Sequence, residues 1–477
     1  DLDEFDDLPE LPKHISKRQQ KINKANVEKE LDHIPKRIRT FNQKHAVARV
    51  KGKTVILDFH ANGDVSYGSP GDLHNFYEND RIATEKATEP YSKHWMRHKS
   101  RREYPAGIVF SPNIDVDGAY NHWQGFSVEP DDQASCKLFL QHVKEIICNN
   151  NPTTFAYLMG WMAHLIQKPE EKPGVAVVFR GKKGTGKDTV GEYLGSLFEH
   201  HHIQIASQEQ LTGRFNQHQE KCLLLHVEEG FWAGSKAAEG SLKHLITSES
   251  VLIEPKGINA FKVKSVLRLM ITSNERWVVP ATGDERRYFI VDVSEKRMQD
   301  TDYFKQIRDE MNAGGREALL HHLQTYPISD FNVRKVPTTD ALTDQKLEGL
   351  RNVDRWWFSM LEVGELDLGD NSCDSENWNA DEIEVERKDL QDCYLKWMRS
   401  KRYEGEELSE ADLGRRLKLL SPSIKGRQVR RHPARVRTYL IPALSVCKAE
   451  FEKFIGSPIE WSNFDEPIEE DEIDDLL

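Results

Sequence analysis

The chain has 477 residues, 38% of them hydrophobic and 30% charged, with a formal net charge of −12. That length predicts two or three domains with real cores, and no apolar run approaches the roughly 18 residues a membrane helix needs, so no membrane partner is expected. The charge is uneven: six acids fall in the first twelve residues and eight in the last thirteen, which leaves the body at +2.

Acidic ends of this kind are expected to be solvated tails that recruit basic partners. The spacing therefore reads as an acidic, charged leader over 1–35, its residues 13–32 helical in pattern, and an acidic tail over 465–477. "HAVARVKGKTVILDF" gives two strand-like runs around Lys51-Gly52-Lys53, a hairpin signal. The basic "KHWMRHKSRREY", then "GIVFSP" and "YNHWQGFSVEP", complete a small α/β domain over 36–150. Residues 152–167 are apolar at helical spacing and are expected to brace the next domain, which spans 151–330. A helical segment and an acidic linker follow over 331–386, and a last compact domain over 387–464. The six cysteines form no Cys-x-x-Cys pair, which argues for a reducing compartment and against a structural zinc site. The triplet His200–His202 reads as a solvated loop.

The central domain opens on "VAVVF" followed by "GKKGTGKDT". A strand, a Gly-rich loop and a helix over about 187–198 are the context of a phosphate-binding loop. Backbone amides of 182–187 at the start of that helix would cradle phosphate. Gly181, Gly184, Thr185, Gly186, Lys187, Asp188 and Thr189 are the candidate nucleotide contacts, with Lys187 neutralising the β and γ oxygens. Asp188 stands where a hydroxyl normally holds Mg²⁺, and Thr189 comes one residue late. The strand-like "KCLLLHVEEG" ends on two acids. Glu228 would hold Mg²⁺, and Glu229 would polarise an attacking water. Asp188 and Thr189 are the further metal candidates. "VLRLMITSNERW" ends on Asn274, placed to position that water. Arg286 and Arg287 suit an arginine finger, which stabilises charge on the transferring phosphoryl and can act on a neighbour's nucleotide. "SESVLIEPKGINAFKV" reads as a hairpin with Lys256 at its tip and Lys262 and Lys264 lower down.

The order of these motifs, with "IEPKGINAFKV" and "DERRYF", resembles superfamily 3 helicases of the AAA+ class. It looks closest to the primase-associated helicases of phages, prophages and large DNA viruses. The resemblance implies an α/β fold built on an AAA+ P-loop core, with ATP and Mg²⁺ bound by the loop and the acids. It also implies an Asn sensor, an Arg acting from the next subunit, and a ring of six by family likeness. The hairpin lysines would grip single-stranded DNA at replication forks. A primase-polymerase domain or subunit would accompany the chain, which begins with Asp rather than Met, and the setting would be the cytoplasm of a bacterial host. Asp188 for Ser/Thr and Glu228 for Asp depart from the pattern.

Residues 387–437 carry fifteen Lys/Arg against seven Asp/Glu. Leu390, Cys393, Tyr394 and Trp397 share a helical face. Ser409 caps a second helix that buries Leu413, Leu417 and Leu420. Two basic strands follow. A winged-helix-like DNA-binding domain is expected, with Arg427, Arg430 and Arg431 as contacts. Two other functions stay open: a P-loop nucleotide kinase, prompted by Lys187-Asp188-Thr189, and an origin-binding protein that uses ATP only as a switch.

Overall fold

The computed structural model describes residues 35–461 apart from 84–87, 207–209, 212, 214–215, 230–235, 255–259, 282–284, 351, 369–377, 379–380, 402–407 and 432–433. The helix expected over 13–32, the acidic tail and Lys256 lie outside the described residues.

Helix α1 (Lys36–Lys44) leads into strands β1 (His45–Val50) and β2 (Lys53–Phe59). The hairpin signal holds. Lys51 and Gly52 both take positive φ, 47° and 79°, as a two-residue turn matched to strand twist requires. β3 (Val65–Gly68) and β4 (Glu103–Tyr104) complete a four-stranded sheet in the order β3-β2-β1-β4. One face packs Val47 and Ile56 against Ile38, Phe41, Tyr91 and Trp95.

Helix α2 (Pro152–Gln167) starts on Asn151, whose side chain accepts from the amides of Thr153 and Thr154. It braces the central sheet as expected: Leu158, Trp161, Met162 and Leu165 share one core with Val177 and Phe179. That sheet is built from β5 (Ala176–Arg180), β6 (His202–Ile205), β7 (Leu224–Val227) and, after a separate two-stranded hairpin, β10 (Arg268–Ser273) and β11 (Tyr288–Asp292). The order is β6-β7-β10-β5-β11 and every pairing is parallel. Parallel sheets are covered on both faces. Here Val177 and Phe179 face α2, and Ala176 and Val178 face a second core with Leu225, Leu242 and Ile271. β8 (Ser250–Ile253) pairs antiparallel with β9 (Phe261–Lys264).

Two expectations are corrected here. The helix after the Gly-rich loop, α3 (Asp188–Gly195), is shorter than predicted and tightens into a 3₁₀ turn over Ser196–His201. Of the three histidines expected in a solvated loop, His200 is exposed but the other two are not in such a loop. His201 is fully buried and stacks on Trp123, centroids 4.8 Å apart, and His202 lies in β6. The apolar sheet and α2 draw these rings in, which sequence spacing does not disclose.

Helix α4 (Thr301–Glu310) and α5 (Arg316–Thr325) pack on the core with α2. Helix α6 (Asp340–Glu348) leads to α7 (Asn352–Val363). Val353, Trp356, Trp357 and Leu361 of α7 belong to the C-terminal core, with Leu366 and Trp378 both fully buried in it. β12 (Ile383–Glu386) pairs with the C-terminal sheet. Among the described residues of the stretch expected as a linker, Leu366, Trp378 and Val385 therefore belong to that core. These apolar residues are spaced too widely to register as an element in the sequence. α8 (Arg387–Ser400), α9 (Glu410–Leu420), β13 (Lys425–Arg431), β14 (Ala434–Ile441) and α10 (Leu444–Ile455) complete the C-terminal body. Ser409 caps α9 through the amide of Asp412, and Leu413, Leu417 and Leu420 are buried.

The N-terminal sheet meets the central one through a buried polar cluster. The Tyr67 hydroxyl lies 2.6 Å from Nε2 of His122 and donates to Glu220 at 3.0 Å. Burial pushes the Glu220 carboxyl from 4.5 up to about 7, against the opposing pull of Tyr67 and Lys221. A carboxyl raised on folding stabilises fully below its unfolded value, and that contribution is lost as pH rises through 7. Glu220→Gln keeps the acceptor for Tyr67 and removes the titration. Relative to the variant, the wild type is expected to lose up to about 3 kcal/mol between pH 5 and pH 8. Denaturation of both proteins at the two pH values checks this, and an unchanged difference would refute it.

Candidate nucleotide site and basic surfaces

β5 lies between β10 and β11, so the loop after it emerges between the ends of those two strands. Gly181 donates its amide to Ser273 O at 3.0 Å. Gly184 and Gly186 take φ of 83° and 82°, which side-chain-bearing residues rarely adopt. A Cβ on Gly186 would lie 2.4 Å from the Phe304 ring and 2.8 Å from His142. His142 Nε2 lies 3.1 Å from Gly186 O, and the Gln299 amide donates to Gly184 O at 2.9 Å. Thr185 is fully buried and donates to Lys182 O at 2.9 Å. The loop is thus clamped from the flanks, and its helix starts at Asp188. Thr189 donates its amide to Gly186 O at 3.3 Å.

Lys187 is 4% exposed, and its Nζ donates to Asn274 Oδ1 at 2.6 Å. Because β10 lies beside β5, the sheet brings together two residues 87 apart in sequence. β7 adjoins β10, and Glu228 and Glu229 follow its last residue, so the acids share this edge of the sheet. Glu228 is half-buried and contacts the Gln204 amide group. Glu229 is exposed, in left-handed backbone at φ 50°. Glu192, one turn into α3, has its carboxyl held above the usual range by burial, then by Asp188 and Glu228. Asp188 Oδ1 lies 3.9 Å from Nε2 of His226, a fully buried ring in mid-β7. Burial lowers the His226 imidazole to about 4.

Arg286 and Arg287 sit at the other end of the sheet. They precede β11, and Arg287 O accepts from the Ala176 amide at the start of β5. A five-residue strand separates that end from the loop, roughly 15 Å at 3.3 Å per residue. The Arg287 guanidinium pairs with the buried Glu285 carboxylate at 3.0 Å, and Arg286 is exposed. The structure therefore keeps both arginines away from Lys187 of their own chain.

Lys262 and Lys264 are exposed on β9, opposite Leu252 and Ser250 of β8. The hairpin is braced at the tip-side end of its paired strands. Asn216 donates to Leu252 O and accepts from the Glu254 amide, and Lys51 donates to Ala260 O at 2.6 Å. On the C-terminal sheet, Gln428 stands opposite Arg437 and Arg430 opposite Arg435. Directly opposed residues share a face, so Arg430 joins Arg435 and Arg437, all exposed, while Arg427 lies on the other face. The Arg431 side chain lies outside the described residues. Sequence reasoning missed Arg435 and Arg437, whose alternation in "ARVRTY" was the available signal. It also missed His226, visible as one polar residue inside "LLLHV".

A family model described as a family of unknown function, DUF5906, matches residues 179–287, the stretch from the end of β5 to Arg287. The chain is also similar to a DNA primase-polymerase of Nitratiruptor phage NrS-1, 25% identical over 233 residues, or 45% of this chain and 32% of that protein. It thus spans about a third of that relative's length. The apo structure of the NrS-1 C-terminal region superposes with a TM-score of 0.61 at 16% identity, covering 84% of this chain and 97% of that one. The A form apo structure of the same region gives 0.61 over 84% and 98%. The two chains share a fold. Among the described residues no helix is long and apolar enough to cross a membrane.

Proposed function

We propose that this chain is the ATP-driven helicase part of a phage-type primase-helicase, a superfamily 3 motor that moves as a ring along single-stranded DNA. One observation carries the reading. A clamped Gly-rich loop, Asn274 and the acids Glu228 and Glu229 leave the same edge of three adjacent parallel strands, with Lys187 on Asn274 at 2.6 Å. The strand order, with β10 between β5 and β7, supports an AAA+ core. The similarity to the NrS-1 primase-polymerase supports a role in DNA replication.

The residues fit a nucleotide and its cation. The glycine conformations let Gln299, His142 and Phe304 close on the loop from its flanks, and Lys187 would meet the β and γ oxygens. Asp188, Thr189 and Glu228 would hold Mg²⁺, which would draw charge from the phosphates. Glu229 would orient and deprotonate the attacking water, with Asn274 positioning it. Helices α8 and α9 with the three-stranded antiparallel sheet support a winged-helix-like domain, and its arginine face suits a DNA backbone. The deciding experiment measures ATP turnover by the chain with and without single-stranded DNA, alongside fork unwinding. DNA-stimulated, sustained turnover with unwinding is expected. Phosphoryl transfer to nucleoside monophosphates would indicate a kinase, and turnover without stimulation a switch.

Within this reading Lys256, Lys262 and Lys264 grip phosphate from the β8–β9 hairpin. Lys256→Ala is expected to keep basal turnover and lose unwinding. The salt slope of single-strand binding should fall by about 0.7 for each phosphate contact removed. Anisotropy titrations across a salt series check this, and an unchanged slope would place the grip elsewhere.

A further inference from the structure

The middle of β7 holds a residue that the proposed reaction leaves unused. His226 stands in a run of Leu224, Leu225 and Val227, all buried, where a leucine would serve the core. Instead the ring is fully buried, and neither Nδ1 nor Nε2 has a hydrogen-bond partner. A buried, partnerless polar group needs a reason. α3 makes room for it: a Cβ on Gly191 would lie 2.6 Å from the imidazole. The ring presents Nε2 to Asp188 Oδ1 at 3.9 Å. Glu192, one turn further along α3, feels the charges of both Asp188 and Glu228. A carboxylate facing a buried imidazole nitrogen that has no hydrogen-bond partner is a pair that one cation can bridge.

We propose that His226 is a nitrogen ligand, together with Asp188, of the divalent cation that accompanies the nucleotide, and that this donor pair favours first-row transition ions over Mg²⁺. The inference rests on the nucleotide reading above. Bonds from one ion to imidazole nitrogen and carboxylate oxygen run about 2.0–2.2 Å, so two such donors lie at most about 4.3 Å apart. The observed separation falls inside that limit. Among the described residues no three such side chains could hold an ion alone. The remaining positions therefore belong to phosphate oxygens, the Thr189 hydroxyl and water, with Glu228 acting through a water, as is usual where a cation is shared with a nucleotide. The pairing also gives Asp188 a purpose. A hydroxyl at that position suits a hard oxygen-only site, whereas imidazole suits the later first-row metals better than Mg²⁺.

The test uses the full chain, Mn²⁺ and a non-hydrolysable ATP analogue. Pulsed EPR on the bound Mn²⁺ is expected to show the coupling of a coordinated imidazole ¹⁴N. In protein labelled with ¹⁵N that coupling should become a ¹⁵N coupling, which assigns it to the protein rather than to adenine. Titrations should also show the Mn²⁺ complex bound about 10-fold or more tighter than the Mg²⁺ complex, with that ratio collapsing in His226→Leu. Bound Mn²⁺ without a protein-nitrogen coupling overturns the inference, and so does a ratio that His226→Leu leaves intact. Should the variant fail to fold, the labelled wild-type spectrum decides alone. Failure of the chain to bind nucleotide with any metal would instead sink the proposed function.

Discussion

Lys187→Ala is expected to lower ATP hydrolysis by at least about 10³-fold, into the background of a coupled assay. Lys187 is nearly buried, with its one described partner a neutral amide oxygen. An ammonium held in a water-poor niche acts strongly on the charge of a phosphoryl group in flight. Single preorganised donors of this kind typically contribute 10²–10³ in rate, and here the same group also contributes to nucleotide affinity. The substitution leaves Asn274 at an exposed position, where water can satisfy its amide, so folding should survive. Circular dichroism and a denaturation midpoint close to wild type would establish that, and hydrolysis persisting within tenfold of wild type would remove Lys187 from the proposed mechanism.

Arg286→Ala is expected to cost about 10³-fold or more in turnover, the range known for arginine fingers. Arg287→Ala is expected to act mainly on stability. The distinction comes from the surroundings. The Arg287 guanidinium already serves the buried carboxylate of Glu285, whose Oε1 also accepts the amides of Arg286 and Arg287. Removing it leaves a buried charge uncompensated. Arg286 is exposed at the end of the sheet remote from its own Gly-rich loop, so any nucleotide it serves belongs to a neighbour. Mixed rings of Arg286→Ala and Glu229→Gln subunits should recover part of the turnover, at interfaces that join an intact loop to an intact arginine. Absence of recovery at every mixing ratio, in rings shown by mass to be mixed, would count against action between subunits.

Local pattern made much of this architecture legible. The apolar run before Gly181, the positive-φ turn at Lys51-Gly52 and the capped start of α9 are each decided by residues adjacent in sequence. So was the presence of Asn274, Glu228 and Glu229 at strand ends and of Lys187 at the start of α3. What sequence did not disclose depends on distant chain. The approach of Lys187 to Asn274 requires β10 to lie beside β5, which no spacing specifies. The burial of His201 comes from Trp123, and that of Trp378 from α7, whose Trp357 ring centroid lies 5.9 Å away. The company of Arg430 is a matter of strand register: a shift of one residue would exchange it for the other face.

Three consecutive residues of α6 give the molecule a mechanical property. Side chains leave a helix about 100° apart, so Asp344, Gln345 and Lys346 point in three directions. Asp344 holds Arg180, the last residue of β5, at 2.7 Å. Gln345 grips the loop beyond Asn274, accepting from Val278 and donating to Arg276 O, both at 2.6 Å. Lys346 donates to Ile455 O, at the end of α10, at 2.9 Å. Less than one helical turn is therefore a common axle for the phosphate loop, the Asn274 strand and the C-terminal body. Loosening this one stretch of α6 is therefore expected to weaken three attachments together, which a single substitution elsewhere in the helix would not do.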